Sequence, residues 1–161
     1  MDLTFYRAKP ADALEWGRLR RSAWDATYRG IYPDEMIDQF DTDWHYHKDI
    51  NKLHNPLYHI YFLQKKGKNA GYLVYQHNAT GVILHSLYLL PDARHQGIGR
   101  MAINHVRDFC LTHGINQFFL QCSPWNTNAM GFYHAMRGTI IKEDIGHNEK
   151  IEDSAFFVFS V

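Results

Sequence analysis

Cysteine is scarce in this chain, which has only Cys110 and Cys122 among its 161 residues. Two cysteines cannot supply the several disulfides of a small secreted scaffold. Apolar runs approaching the roughly 20 residues of a membrane-spanning helix are also missing. The N-terminal segment lacks the basic and apolar regions of a signal peptide. We therefore expect a cytoplasmic protein with no membrane partner.

An excess of either charge is missing as well. Seventeen Lys and Arg residues balance 17 Asp and Glu residues, which gives a formal net charge of zero. Nucleic-acid-binding domains usually carry a basic excess, so we expect no nucleic-acid partner. The chain is 45% hydrophobic and shows no linker, repeat or low-complexity segment. This composition predicts a single folded domain over residues 1–161.

Metal-ligand spacings are absent although the chain has 11 histidines. It contains no H-E-x-x-H sequence and no Cys/His pairs at zinc spacing. His45 and His47 are two positions apart, which does not place them on one helix face. We expect no intrinsic metal site.

Hydrophobic periodicity and turn residues predict alternating strands and helices. The predicted strands are 3–8, 58–65, 70–76, 82–90, 115–122, 139–143 and 155–161. The predicted helices are 10 to 24 or 28, 33–40, 43–53, 98–113 and 126–136. The fourth of these helices has an apolar face that includes Ile98, Met101 and Val106.

The connections between these elements predict the sheet. Short turns join strands 58–65, 70–76 and 82–90 into an antiparallel meander, whereas the helix between 82–90 and 115–122 predicts a parallel pair. We predict an α/β fold: a mixed, mostly antiparallel central sheet flanked by helices and splayed between the fourth and fifth strands. A crevice at such a point is a usual ligand site.

The segment from Leu87 to Ala102 has the clearest chemistry. An apolar strand passes through a basic turn into a helix whose start carries Gly97 and Gly99. N–H groups in the first turn of a helix have no internal partner, and the helix dipole adds positive charge there. Glycines let an anion approach those donors closely. The segment predicts an anion site that fits a pyrophosphate.

The same residues also match G-x-G-x-x-A, the dinucleotide fingerprint. That fingerprint requires glycines directly after the strand, but residues 91–96 intervene here. It also requires an acidic residue at the end of the next strand, where this chain has Leu120-Gln-Cys-Ser-Pro124. The three preceding antiparallel strands also conflict with a doubly wound sheet. These departures disfavour a dinucleotide fold.

Two signatures resemble those of the GNAT acetyltransferase superfamily. Arg94-x-x-Gly97-x-Gly99, preceded by Leu87-Tyr-Leu-x-Pro, resembles the family's [Q/R]-x-x-G-x-[G/A] motif and the strand end before it. Asn126-x-x-Ala129-x-x-Phe132-Tyr133, followed by Gly138, resembles its second signature. The stretch 28–34 is also similar to the loop between the family's first helices. The resemblance covers essentially the whole chain in the family's element order.

The resemblance implies acetyl-CoA as cosubstrate. Its pyrophosphate would lie on the N–H groups near Gly97, and its pantetheine arm would pair with the open edge of strand 82–90. The implied cofactor-binding residues are Leu87, Tyr88, Leu89, Arg94, His95, Gln96, Gly97, Ile98, Gly99, Arg100, Asn126, Ala129 and Phe132.

The implied reaction is acetyl transfer to a primary amine, with Tyr133 as the acid that protonates the departing thiolate. The strand carboxylate that some members use as a base falls near Ile83, which cannot serve. His85 is the alternative base on the same side. A water chain to backbone carbonyls or to one of three carboxylates is the other possibility; these are Asp25, Asp34 and Glu35.

The acceptor pocket of such a fold would be walled by Trp24, Tyr28, Tyr32 and Asp34, with Trp44 and Trp125 as further candidates. A small-molecule amine is the expected acceptor. A peptide or protein N-terminus, a lysine, and a non-catalytic acyl-CoA-binding module are the alternatives. Members of the family often form homodimers, so a homodimer is possible here.

Overall fold

A computed structural model describes residues 2–39 and 41–161. The strands are β1 (Leu3–Arg7), β2 (Tyr58–Lys65), β3 (Lys68–Asn78), β4 (Gly81–Leu89), β5 (Gln117–Cys122), β6 (Thr139–Asp144) and β7 (Ser154–Ser160). The helices are α1 (Ala13–Tyr28), α2 (Asp34–Asp38), α3 (Thr42–His54), α4 (Ile98–Thr112) and α5 (Thr127–Ala135). Met1 and Phe40, where the sequence places the domain start and the end of the second helix, lie outside the described residues.

The strands form one seven-stranded sheet in the order β1-β2-β3-β4-β5-β7-β6. Only β4 and β5 run parallel; every other neighbouring pair is antiparallel. The parallel pairing extends from Val82↔Phe118 to Leu84↔Leu120, where it ends. Beyond Leu84 the two strands diverge. The predicted fold class, including the splay between the fourth and fifth strands, is confirmed.

Helices cover both faces of the sheet because neighbouring strand residues point in opposite directions. Leu63 and Leu73 pack with α4 in one buried cluster. Phe62 and Tyr72, their immediate neighbours in sequence, pack instead against α1 through Trp16. Both β2 and β3 are therefore buried on both faces. This explains why their apolar residues form continuous runs in the sequence.

The buried face of α4 differs from the prediction at one position. Met101 is 36% exposed, whereas Ile103 is fully buried beside Ala102 and Val106. The sheet lies under positions 102, 103, 106 and 110, which turns Met101 to the flank of the helix. Among the described residues, no helix is long and apolar enough to cross a membrane.

A β-bulge in β4 shapes the centre of the sheet. Tyr75 of β3 pairs with Leu84 and Val74 pairs with Ser86, so His85 is the extra residue. A bulge shifts the alternation of side chains along its strand. As a result, Leu84 and Leu87 both face the cluster around α4 although they are three positions apart.

Candidate active site

The divergence of β4 from β5 opens a cavity of about 510 Å³. The starts of α4 and α5 and the end of α1 complete its walls. All predicted cofactor-binding residues line it except Gln96 and Ile98, and both predicted catalytic residues, Tyr133 and His85, line it too. The two sequence signatures, which begin 32 positions apart at Arg94 and Asn126, therefore meet in one cavity because they follow adjacent strands.

The start of α4 presents a run of unpaired backbone donors. The N–H groups of residues 95–100 donate to no acceptor in the described part of the chain, and the helical bonds begin with Met101 N–H to the Gly97 carbonyl at 3.1 Å. Positive φ angles at His95 (60°) and Gly97 (83°) turn the backbone into this cradle. Such a row of N–H groups at a helix start suits an anionic ligand.

Gln96 and Ile98, the two predicted cofactor-binding residues that do not line the cavity, contribute backbone N–H groups to the cradle. Ile98 is fully buried in the core, so only its N–H group is available. The Gln96 side chain donates to the Asp92 carbonyl at 2.6 Å and accepts from Lys65. These contacts fix the turn from the outside.

Gly99 has a packing role that the motif alone does not reveal. A Cβ at this position would lie 2.9 Å from Cζ of Phe132. Glycine therefore lets α5 approach the start of α4 closely. The two signatures are thus in direct contact. Gly99 is needed for this helix packing as well as for the predicted room around a phosphate.

Arg94 is held in place rather than free in solvent. Its Nε donates to the Leu89 carbonyl at 3.1 Å and an Nη donates to the Thr27 hydroxyl at 3.2 Å. The side chain thus ties the end of β4 to α1 at the rim of the cavity. Nothing in the sequence pointed to Thr27, because the contact spans 67 positions.

The edge of β4 that faces away from β3 is open beyond Leu84, since no strand of the described chain pairs with it there. On the other edge, Leu87 and Leu89 pair with Leu73 and Gly71. An open strand edge can add an extended ligand that carries amide groups. Asn126 caps α5 by accepting from the Ala129 N–H at 3.2 Å, and it also lines the cavity.

Tyr133 lies at the inner wall. It is 7% exposed, and its ring packs edge-on against Phe132 and Phe159. Its hydroxyl makes no hydrogen bond to any described residue. Burial raises the pKa of this phenol far above its usual value, so the hydroxyl keeps its proton at all physiological pH values.

His85 projects from the bulge toward Gln76. Its Nε2 lies 2.9 Å from Gln76 Oε1, and its ring stacks on Tyr58 at 5.8 Å. The amide oxygen can only accept, so Nε2 donates and the neutral imidazole leaves Nδ1 without a proton. Desolvation and, secondarily, the charge of Lys52 lower the pKa of His85. The ring is therefore uncharged near neutral pH.

The three alternative carboxylates do not line the cavity. Asp34 pairs with Arg29 at 3.2 Å, and Asp25 pairs with the same guanidinium. Glu35 is exposed on α2. The described lining of the cavity contains no carboxylate at all.

The residues predicted to line the acceptor pocket lie in two separate surface depressions. Tyr28 lines the cavity, whereas Tyr32 and Asp34 line a neighbouring depression that residues 148–151 close from the other side. Trp24 packs on Tyr28 at 4.8 Å between ring centres. Of the further candidates, Trp44 is exposed on α3, and Trp125 donates to Asp153 at 2.9 Å.

Several lining residues carried no recognisable sequence signal. Ser86, Gln121, Cys122 and Ser123 reach the cavity because the carboxyl ends of parallel strands share one edge of the sheet. Burial raises the pKa of the Cys122 thiol to about 12, so it stays protonated. Within the described residues, no group of three or more His, Cys, Asp or Glu side chains is placed to hold a metal ion.

Comparison with known families agrees with this geometry. A model described as "Acetyltransferase (GNAT) family" matches residues 16–138. The chain belongs to the GNAT acetyltransferase family. The match includes the cradle at the start of α4 and the signature on α5.

Curated proteins with sequence similarity to this chain include thialysine N-epsilon-acetyltransferases. The mouse protein is 31% identical over 81 residues, which are 50% of this chain and 48% of the mouse protein. The pig protein is 30% identical over 91 residues, which are 55% of this chain and 54% of the pig protein. The chain thus spans about half the length of the curated relatives that it matches.

Two solved structures superimpose on all or nearly all of this chain. The PaiA N-acetyltransferase from Thermoplasma acidophilum, in complex with coenzyme A, has a TM-score of 0.85 at 19% identity over 100% of both chains. The ribosomal-protein-S18-alanine N-acetyltransferase from Escherichia coli has a TM-score of 0.72 at 16% identity over 98% of this chain and 93% of its own. These likenesses show the fold.

Proposed function

We propose that the protein is an acetyl-CoA-dependent N-acetyltransferase that acetylates a primary amine of a small molecule. The observation that carries this proposal is the run of free N–H groups over residues 95–100, which opens onto the same cavity as the Tyr133 hydroxyl. A structural neighbour that holds coenzyme A supports the choice of cofactor.

The chain offers a distinct contact for each part of the cofactor. The pyrophosphate would accept hydrogen bonds from the cradle, with Arg94 and Arg100 adding positive charge at the same end of the cavity. The pantetheine amides would pair with the open edge of β4 beyond Leu84. The acetyl group would then lie where β4 and β5 diverge, near Tyr133.

The chemistry is a direct transfer. The nitrogen lone pair of a neutral amine attacks the thioester carbon, and a backbone N–H near the end of β4 would stabilise the oxyanion that forms. Collapse breaks the carbon–sulfur bond, and the departing thiolate takes the phenolic proton of Tyr133. A phenol and a thiol have reference pKa values of about 10 and 8.5. Burial that raises the pKa of Tyr133 also raises the pKa of a thiol formed in the same cavity, so the transfer is feasible. Tyr133 recovers a proton from solvent.

The attacking nitrogen must also lose a proton. Nδ1 of His85, a residue that lines the cavity, would take this proton, and a water chain ending on backbone carbonyls is the other route. Asp25 and Asp34 are less suited to this role because both are ion-paired with Arg29 and neither lines the cavity.

Replacement of Tyr133 by phenylalanine tests the mechanism. We expect turnover to fall by roughly 10²- to 10⁴-fold while the affinity for acetyl-CoA is unchanged, because only the proton donor is removed. Tyr46→Phe on α3, outside the cavity, is the matched control. Unchanged turnover of Tyr133→Phe would exclude the phenol as the acid.

A panel of small amines, peptides and lysine derivatives, assayed by release of free thiol from acetyl-CoA, tests the function itself. We expect thiol release with at least one small amine. Saturable binding of acetyl-CoA in calorimetry with no thiol release across the panel would instead indicate a binding module without turnover. Turnover with peptides alone would show that the acceptor is an amine of a polypeptide and not of a small molecule.

A further inference from the structure

Two tyrosine hydroxyls meet at the wall of the cavity. The hydroxyls of Tyr28, the last residue of α1, and Tyr88 on β4 lie 2.6 Å apart. The Tyr28 ring stacks on Tyr32 at 4.7 Å, and the Tyr88 ring packs against Tyr72 at 5.5 Å. Packing on both sides therefore fixes where the two oxygens lie.

This hydroxyl pair has unused hydrogen-bonding capacity. Two phenols together provide two donors and several acceptor lone pairs, and their mutual contact uses one of each. Neither hydroxyl makes a second hydrogen bond within the described part of the chain. Burial raises the pKa of both phenols far above the usual value, so both stay protonated and uncharged. The pair can accept an N–H bond from a ligand and donate one bond in return.

The charges around the pair disfavour a cation. No carboxylate lines the cavity in the described chain, whereas Arg94 and Arg100 line its cofactor end. Asp34 and Glu149 line the neighbouring depression instead. An ammonium ion that enters the cavity would lose its hydration without gaining a counter-ion, which lowers the pKa of a bound amine.

We propose that the paired hydroxyls of Tyr28 and Tyr88 hold the nitrogen of the acceptor amine in its uncharged form, so that the site favours amines of low basicity. The inference rests on the proposed function. An oxygen of the pair accepts an N–H of the amine, and the nitrogen lone pair stays free to attack the thioester. Suitable acceptors carry an electron-withdrawing group next to the amine, as an α-amino amide does.

Two amines of equal size and different basicity test the substrate class. Glycinamide carries an α-amino group, with a reference pKa of about 7.7–8.0, whereas n-butylamine resembles the lysine side chain, at about 10.4. At pH 7 we expect kcat/KM to be at least about tenfold higher for glycinamide, because a larger fraction of it is neutral. The gap should narrow as pH rises. An equal or reversed order at pH 7, or a preference for spermidine, would overturn the inference while leaving the proposed function intact.

Tyr28→Phe and Tyr88→Phe test the residues. Loss of one hydrogen bond should raise KM for glycinamide about three- to tenfold and reduce the glycinamide preference, with KM for acetyl-CoA unchanged. Tyr72→Phe is the matched control, since Tyr72 is buried beside Tyr88 but does not line the cavity. Equal effects of all three variants on both KM values would show a merely structural role. Absence of thiol release with every amine in the unaltered protein would overturn the proposed function and this inference together.

Discussion

The ring of Phe132 lies against the backbone of Gly99, so closely that a Cβ on Gly99 would stand 2.9 Å from Cζ of Phe132. The contact joins the helix that begins with the anion cradle to the helix that carries Tyr133. The spacing between the cradle and Tyr133 therefore depends on a position without a side chain.

Gly99→Ala should destabilise the fold by about 1–3 kcal/mol, because the added methyl overpacks the contact with Phe132. The midpoint of urea unfolding measures the loss. Gly131→Ala on α5 is the matched control: nothing lies within 4 Å of its Cβ position, so that variant should be neutral or slightly stabilising. Combination with Phe132→Leu should recover part of the loss, and strictly additive effects would contradict the contact.

Gly97→Ala should weaken coenzyme A binding. Its φ of 83° is costly for a residue with a side chain, by about 1–2 kcal/mol, and a shift there redirects the cradle's N–H groups. Gly114→Ala, with a φ of 67° at the other end of α4, imposes similar strain far from the cradle. Calorimetry should show Kd for coenzyme A roughly tenfold higher in Gly97→Ala only. Equal Kd values for the two variants would argue against the cradle.

Asp49→Asn should cost about 3–5 kcal/mol of folding free energy, because it leaves the Arg20 guanidinium buried without its counter-ion. The native pair is bidentate, at 2.7 and 2.8 Å, and joins α1 to α3. The pair of half-buried Glu15 with exposed Arg18 gives the comparison. An amide at position 15 can still accept from Asn69, so Glu15→Gln should cost only about 0–1 kcal/mol. Urea unfolding that shows equal losses for the two variants would contradict the burial of the Arg20–Asp49 pair.

His59 should make the fold sensitive to acid. Burial, followed by the charges of Arg7 and nearby histidines, lowers its pKa to about 4. The unfolded chain, with a histidine pKa of about 6.5, binds the proton more readily, so stability falls as pH drops from about 6.5 to 4. Because the ring is only half-buried, water screens the effect to about 1 kcal/mol.

His59→Phe should reduce that acid-induced loss, measured as the change in unfolding free energy between pH 7 and pH 4. His147→Gln is the control of opposite sign. The hydrogen bond to Asp144 raises the pKa of His147. Protonated His147 therefore stabilises the fold at low pH, and this contribution disappears as pH rises. An unchanged pH profile in His59→Phe would remove His59 as a cause.

Patterns among neighbouring residues predicted much of the fold. Strand 58–65 and the helix that begins after Gly97 lie where periodicity and capping place them, because both signals depend on residues within one or two turns. Met101 was wrongly placed on the buried face, since the exact face of a helix depends on which strands lie beneath it.

By itself, the sequence determined the order of the elements, the mixed sheet and the donor-rich start of α4, because hydrophobic period, glycine position and helix polarity are local properties. Only the tertiary structure decided which side chains share the cavity. The Tyr28–Tyr88 pair joins residues 60 positions apart, and the bulge that presents His85 arises from the pairing of β3 with β4. The contact of Arg94 with Thr27 likewise joins residues 67 positions apart. Such contacts follow from register and packing across the molecule, which no single segment specifies.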